Sequence, residues 1–223
     1  MKKITILLSI ISCVFIFSCE KKSEIQTTPE LQQIFNDTEI GDIGKIISFY
    51  EEHLKKQTNS NQIDSAFHKF AKENVNAMSY DVSGFDDESI QRLYKNIDQE
   101  TYDEIWEESK GFNYEINDSI TIQNIAYEKK FMNYLKLVGE KEPKIQYVHN
   151  QIKTLGMVQG ILIRTLYQDF DDEGRNGKFS TKIGDYNNRF IAAVFTITIA
   201  DNIIRQRMIR KQQLKIEQSE SGN

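Results

Sequence analysis

The sequence predicts an all-α fold, a single helical-bundle domain of about six to seven helices. Breakers are scarce, with 11 glycines and 2 prolines among 223 residues, which favours long helices over many-turned β structure. Apolar residues recur at spacings of three and four along most of the chain. Near the C-terminus the stretch from Phe190 to Ile204 is apolar on almost every side. We therefore expect the bundle to centre on a long C-terminal antiparallel helix hairpin formed by residues 143–168 and 180–216.

The first nineteen residues have the order of a secretory signal. Lys2 and Lys3 precede an apolar run from Ile4 to Phe17, which Ser18 and Cys19 close. This run is shorter than the roughly 20 residues that a membrane-spanning helix needs. An exported chain is therefore the favoured interpretation, ahead of an uncleaved signal anchor.

The end of this segment resembles the lipobox of bacterial lipoprotein signal peptides. The matching residues are Ile16-Phe17-Ser18-Cys19, although Phe17 departs from the small or aliphatic residue usual there, and Ile10-Ile11-Ser12-Cys13 is a rival box. Cutting at Cys13 would leave the apolar residues 14–17 exposed, so Cys19 is preferred. The resemblance implies that Cys19 carries lipid, palmitate included, and becomes the mature N-terminus. The expected organisation is a signal peptide (1–18), a lipidated cysteine with a flexible tether (19–36), a helical domain (37–216) and a disordered tail (217–223).

Composition excludes several chemistries for the body of the protein. Its two cysteines are Cys13 and Cys19, so a mature chain would have no disulfide and no thiol nucleophile. The formal net charge of −5 becomes −7 once Lys2 and Lys3 leave with the signal, which argues against a nucleic-acid partner.

Helical periodicity predicts the elements of the first two thirds. The expected helices cover residues 40–54, 63–75, 90–97, 102–111 and 118–138. Asp37 or Thr38 is the expected N-cap of the first, and Asp118 of the last, which Gly139 closes. The alternating segment 112–117 is interpreted as an extended connector, because a strand without a partner is unstable.

Two long helices are predicted in the last third. One runs from Pro143 to Gln168, with Gly156 and Gly160 on nearly the same face, where another backbone can approach closely. The other runs from Ser180 to Ile216 and becomes basic after Ile204. This basic end is expected to complement its helix C-terminus or to pair with acids within the fold, while contact with lipid headgroups is a further alternative.

The loop between these helices begins like an EF-hand calcium loop. Asp169, Asp171 and Glu173 occupy its positions 1, 3 and 5, and Gly174 its position 6. Ser180 stands where the bidentate glutamate belongs. Calcium through Asp169, Asp171 and Glu173 is therefore one hypothesis, and a solvated polar turn that needs no cofactor is the other.

Other chemistry lacks a recognisable pattern. The histidines His53, His68 and His149 fall on separate predicted helices, without the Glu-x-x-His or His-x-x-x-His spacing of a metal helix. Neither a serine elbow nor a phosphate-binding glycine loop is present. An envelope hydrolase with carboxylates assembled across helices remains an alternative function, which a cleft holding two acids with shifted pKa values would favour.

Charge is unevenly distributed. Residues 86–108 contain nine acids against Arg92 and Lys95, which indicates either an acidic recognition face for a basic partner or ordinary surface solubility. Taken together, the observations favour a non-catalytic binding protein, lipid-anchored in a bacterial membrane and exposed to the periplasm or the cell surface. Its partner would be another envelope protein, and a toxin that it neutralises would be one such partner.

Overall fold

Helices dominate the protein. A computed structural model describes residues 26–75, 81–113, 118–158, 160–169, 178–179 and 183–221. The N-terminal part contains α1 (Pro29–Ile34), α2 (Asp37–Thr58), α3 (Ile63–Phe70), a π-helical segment (Ala71–Val75), α4 (Asp87–Asn96) and α5 (Gln99–Ile105). Then follow β1 (Trp106–Asn113), β2 (Asp118–Ile125), α6 (Lys130–Gly139), α7 (Pro143–Leu155), α8 (Gly160–Tyr167), β3 (Gln168–Asp169), β4 (Lys178–Phe179) and α9 (Tyr186–Ser221).

Helix α9 provides the centre of the hydrophobic core. Between Phe190 and Asp201 its side chains are buried apart from half-buried Ile199, and from Asn202 to Arg205 they are half-buried. The predicted buried stretch is thus confirmed over most of its length. Helix α2 packs against α9 and buries a stripe spaced three and four residues apart, namely Ile43, Ile46, Ile47, Tyr50 and Leu54.

A β-hairpin replaces the end of one predicted helix and the start of the next. Strands β1 and β2 pair antiparallel in a continuous register from Trp106↔Ile125 to Asn113↔Asp118. The all-α prediction is wrong here, as are the helix over 102–111 beyond Ile105 and the start of a helix at Asp118. The β-branched alternation Ile120-Thr121-Ile122 fits a strand, and each strand supplies the partner that the other needs. The predicted connector 112–117 lies partly in β1 and, from 114, outside the described residues.

The predicted 143–168 helix is interrupted. Helix α7 ends at Leu155, and Gly156 follows in the left-handed conformation with φ 70°, a standard helix terminus. Gly156 therefore ends a helix instead of supplying a close helix contact. The continuous helix over 143–168 is wrong, and of its two parts α8 is the one in substantial contact with α9. The long helix hairpin with 180–216 stays a prediction.

Helical structure extends beyond the predicted 37–216 domain at both ends. Helix α1 lies within the segment 19–36 expected to be tether, yet it buries Leu31 and is followed by buried Phe35. Thr28 donates to the side-chain oxygen of Asn187 (2.6 Å), which joins the start of the described chain to the start of α9. At the other end α9 continues to Ser221, where a disordered tail was expected from 217.

Candidate functional site

The nine acids of residues 86–108 lie mostly on the surface. They are carried by the start of α4, by the turn into α5, by α5 itself and by the start of β1. Seven are exposed and Asp87 and Glu104 are half-buried. We call this surface the acidic face, and its residues are Asp86, Asp87, Glu88, Asp98, Glu100, Asp103, Glu104, Glu107 and Glu108.

Three aromatic side chains pack together beside this face. The ring centroids of Tyr94 and Tyr102 are 5.1 Å apart, and each lies within 5.7 Å of the Trp106 ring. The Trp106 indole N–H donates to Thr198 Oγ1 at 2.9 Å, which fixes the ring against α9. Edge-to-face and tilted arrangements of this kind are favourable because ring edges are positive and ring faces negative.

These aromatic residues line an open cleft of about 880 Å³, which we call the aromatic cleft. Asp103, Glu107 and Glu108 of the acidic face contribute to its lining, and Lys95, Lys129 and Arg205 supply positive charge there. Arg205 is already neutralised, since its guanidinium donates to Asp201 (3.0 Å) and Glu108 (2.9 Å). At Arg205 the basic end of α9 therefore pairs with the acidic segment. This confirms the predicted alternative in which the basic end pairs with acids within the fold.

Asp201 is the acid beneath this cleft whose pKa is shifted upwards. It is fully buried, and burial raises the pKa of Asp201 although Arg205 opposes the shift. The Tyr94 hydroxyl lies 3.5 Å from its second carboxylate oxygen. Asp201 is not among the residues that line the cleft. A single shifted acid out of reach of a ligand gives the hydrolase alternative no support.

A second open cleft of about 850 Å³ lies between α2 and α4. His53 lines it, with Nδ1 2.7 Å from the Phe49 carbonyl oxygen and its ring stacked on Phe85. Burial lowers the pKa of His53, which keeps the imidazole neutral at pH 7. Charges of both signs surround it, including Lys56 and Asp86, so no ligand class is selected.

The three histidines do lie on separate helices, as predicted: His53 on α2, His68 on α3 and His149 on α7. In the described part of the chain, no group of three or more His, Cys, Asp or Glu side chains is placed to hold a metal ion.

The calcium hypothesis lies almost entirely outside the described residues. Asp171 and Glu173 are not described, and for Asp169 only the backbone is. That backbone belongs to β3, which pairs with β4 through Asp169↔Lys178, so a short antiparallel ladder joins the two ends of the loop. Calcium binding through Asp169, Asp171 and Glu173 stays a prediction.

The anchor also lies outside the described residues, which begin at Gln26. Lipidation of Cys19 therefore stays a prediction. Across the helices that are described, none combines the length and the apolar character needed to cross a membrane.

Sequence reasoning missed the aromatic cleft. The signal available in the sequence is that Tyr94, Tyr102 and Trp106 all lie within the acidic segment 86–108. The contribution of Arg205 could not be anticipated in detail, because it lies 97 residues from Glu108 in sequence.

No protein-family model matches this chain, no curated protein matches its sequence, and no solved structure matches its fold.

Proposed function

We propose that this protein is a non-catalytic, lipid-anchored binding protein of the bacterial envelope, whose acidic face and aromatic cleft hold a basic segment of a partner protein. The observation that carries the proposal is the open cleft of about 880 Å³, with aromatic residues in its lining and exposed carboxylates around it. Its partner is another envelope protein, and a toxin that the protein neutralises is one such partner.

The cleft together with the acidic face around it suits lysine and arginine side chains, because the nine acids of that face outnumber the two lysines, Lys95 and Lys129, at the cleft. Half-buried Tyr94 and Tyr102 offer apolar ring surface and a partial negative charge on each ring face, which attract a cation at close range. Exposed acids such as Asp103 and Glu107 add longer-range attraction, which accelerates encounter with a basic partner and weakens with salt.

The anchor would hold this surface away from the membrane. The segment from Cys19 to Pro29 spans about 30 Å when fully extended. From Asn187, where Thr28 is attached, α9 rises about 27 Å to Arg205 at the aromatic cleft. A partner in the periplasm or at the cell surface could therefore reach the cleft without displacing the tether.

Neutralising the acids tests the binding surface. We expect the Asp103→Asn/Glu107→Gln double variant to capture at least tenfold less of the basic partner than wild type, in cross-linked affinity capture from the anchored protein. The matched control is Glu73→Gln/Glu140→Gln, which removes the same charge from exposed positions elsewhere. Equal loss in both variants would contradict a specific acidic site.

Replacing the cysteines tests the anchor. Cys19→Ala should abolish metabolic labelling with palmitate and release the protein from the membrane fraction, while Cys13→Ala should leave both unchanged. If Cys13→Ala releases the protein instead, the anchor lies at the rival box.

A further inference from the structure

The outer edge of β1 is an unoccupied strand edge. The described elements in substantial contact with β1 are β2 and α5. Glu107, Glu108 and Lys110 are exposed. An open edge of this kind is a template on which another strand can pair.

The direction of the backbone groups follows from three hydrogen bonds. Ala126 N–H donates to the Ile105 carbonyl oxygen (2.9 Å), which makes the pair Ile105↔Ala126 a hydrogen-bonded one. Hydrogen-bonded and non-hydrogen-bonded pairs alternate along an antiparallel ladder, so Glu108↔Gln123 is a non-hydrogen-bonded pair. The backbone N–H and carbonyl groups of both residues therefore point away from the partner strand, towards the outer edges of the hairpin. The side chain of Asn202 confirms this on the β2 side, since it bonds both the N–H and the carbonyl oxygen of Gln123 at 2.7 Å.

The two edges of the hairpin are therefore not equivalent. Asn202 of α9 closes the edge of β2 as a neighbouring strand would. On β1 the Trp106 N–H is taken by the Tyr102 carbonyl oxygen. The outward N–H and carbonyl groups of Glu108 and Lys110 form no hydrogen bond with any other described residue.

The charges of β1 are self-complementary in one register. If two copies of β1 pair antiparallel about a two-fold axis at Ser109, Glu108 of each lies opposite Lys110 of the other, and both residues have outward backbone groups. Glu108 Oε1 accepts from Arg205 within its own copy (2.9 Å), which leaves Oε2 for Lys110. A two-fold axis at Glu108 or at Lys110 would instead place like charges opposite each other, which is destabilising. Glu107 then faces Gly111 of the second copy, which has no side chain to obstruct it.

The arrangement also leaves room for α9. In a sheet of order β2–β1–β1–β2 the two β2 strands are about 14 Å apart, given a strand spacing of about 4.8 Å. Helix α9 packs mainly on β2 and reaches β1 through the side-chain contacts Thr198–Trp106 and Arg205–Glu108, so the two copies of α9 would lie over the two outer strands of the sheet.

We propose that β1 is a homodimerisation strand, pairing with β1 of a second copy through Glu108 and Lys110 to form a four-stranded antiparallel sheet. Four backbone hydrogen bonds and two opposite-charge pairs hold this contact, so it is a weak association, of the kind made by small interfaces. Glu108 also lines the aromatic cleft, but the dimer requires no lipidation, and its tests change Ser109, Ser119, Lys110 and Lys72, which the capture experiment leaves unchanged.

Cysteine cross-linking tests the register. In the full chain carrying Cys13→Ser and Cys19→Ala, Ser109→Cys places the introduced thiols directly opposite on the axis, at a non-hydrogen-bonded pair with Cα atoms about 4.5 Å apart. Ser119→Cys, at an exposed position on β2, is the control, because the two copies of β2 are about 14 Å apart across the sheet. We expect disulfide dimers to form at least tenfold faster at position 109, in detergent at about 100 µM protein. Equal rates at both positions would overturn the proposal.

Charge reversal provides the second measurement. Lys110→Glu places like charges opposite Glu108 in both pairs, so the dissociation constant by sedimentation equilibrium should rise at least tenfold. Lys72→Glu, at an exposed position on the π-helical segment, should leave it unchanged. A chain whose association does not respond to Lys110→Glu does not dimerise through β1.

Discussion

At the scale of single residues, the ion pair between Asp201 and Arg205 joins the core to the aromatic cleft. Asp201 has no exposed surface, while the Arg205 side chain keeps 22% of its surface exposed. Removing the guanidinium leaves a buried carboxylate without its cation, and such losses cost several kcal/mol. The pair therefore matters for stability because breaking it leaves the Asp201 carboxylate buried without a cation.

Arg205→Met should lower the free energy of unfolding at pH 7 by about 3 kcal/mol. The folded-state pKa of Asp201 is raised, so this carboxyl favours the folded state below its unfolded pKa of 3.8 and loses that contribution as pH rises through its folded pKa. The deficit of the variant should accordingly shrink in acid. Urea unfolding at pH 7 and pH 4 measures both effects. The control is Arg207→Met, at an exposed position. If Arg205→Met loses no more unfolding free energy than Arg207→Met does, the account is contradicted.

Glu30 behaves in the opposite sense. Its carboxylate accepts hydrogen bonds from Lys141 (2.5 Å) and from the Asn187 amide (3.1 Å), and these lower the pKa of Glu30 from 4.5 to about 2. The stability that Glu30 contributes is present above pH 4.5 and is lost as pH falls from there towards 2.

Glu30→Gln should therefore cost about 2 kcal/mol at pH 7, the value of a buried hydrogen bond to a charged group. The difference from wild type should fall towards zero by about pH 2. Urea unfolding across pH 7 to 2 tests this, with the exposed Glu52→Gln as control. A difference that stays constant with pH would show that the Glu30 charge is not involved.

At the scale of elements, two helical glycines differ in the space that a side chain would find around them. A Cβ on Gly139, at the end of α6, would lie 2.8 Å from Cα and 2.9 Å from N of Gln146 in α7. A Cβ on Gly41, within α2, would have no atom within 4 Å. Gly139 thus sets how closely α6 and α7 approach, whereas Gly41 only weakens its helix.

Gly139→Ala should destabilise the protein by about 1–3 kcal/mol, because the backbone of α7 must move. Gly41→Ala should stabilise it by about 0.5–1 kcal/mol through helix propensity. Thermal unfolding followed by circular dichroism measures the two variants side by side. Shifts of the same sign would contradict the close packing of α6 on α7.

Local signals and non-local pairings explain which elements the sequence could predict. The apolar spacing of α2 is a local property and identified the helix, although its capping residue is Asn36 and not Asp37 or Thr38. The β-hairpin was missed because each strand depends on a partner, and Ile122 and Ile125 of β2 also fit a helical spacing. The candidate site also depends on non-local contacts, because Arg205 meets Glu108 only once α9 has packed against the hairpin.

At the scale of the whole molecule, the start of the described chain and the proposed binding surface contact different parts of α9. Thr28 holds the start of the body at Asn187, and the aromatic cleft lies about 27 Å further along the helix axis. This separation would let the proposed binding surface face a partner while the proposed anchor holds the N-terminus at the membrane.

Site-specific photocross-linking in intact membranes tests this central claim most directly. A benzoylphenylalanine at Gln99, an exposed residue lining the aromatic cleft, should cross-link one basic envelope protein, and the adduct should disappear in the Asp103→Asn/Glu107→Gln background. The same probe at Tyr147 on α7, whose side chain is 48% exposed, should give no such adduct. An adduct from Tyr147 and none from Gln99 would contradict the account.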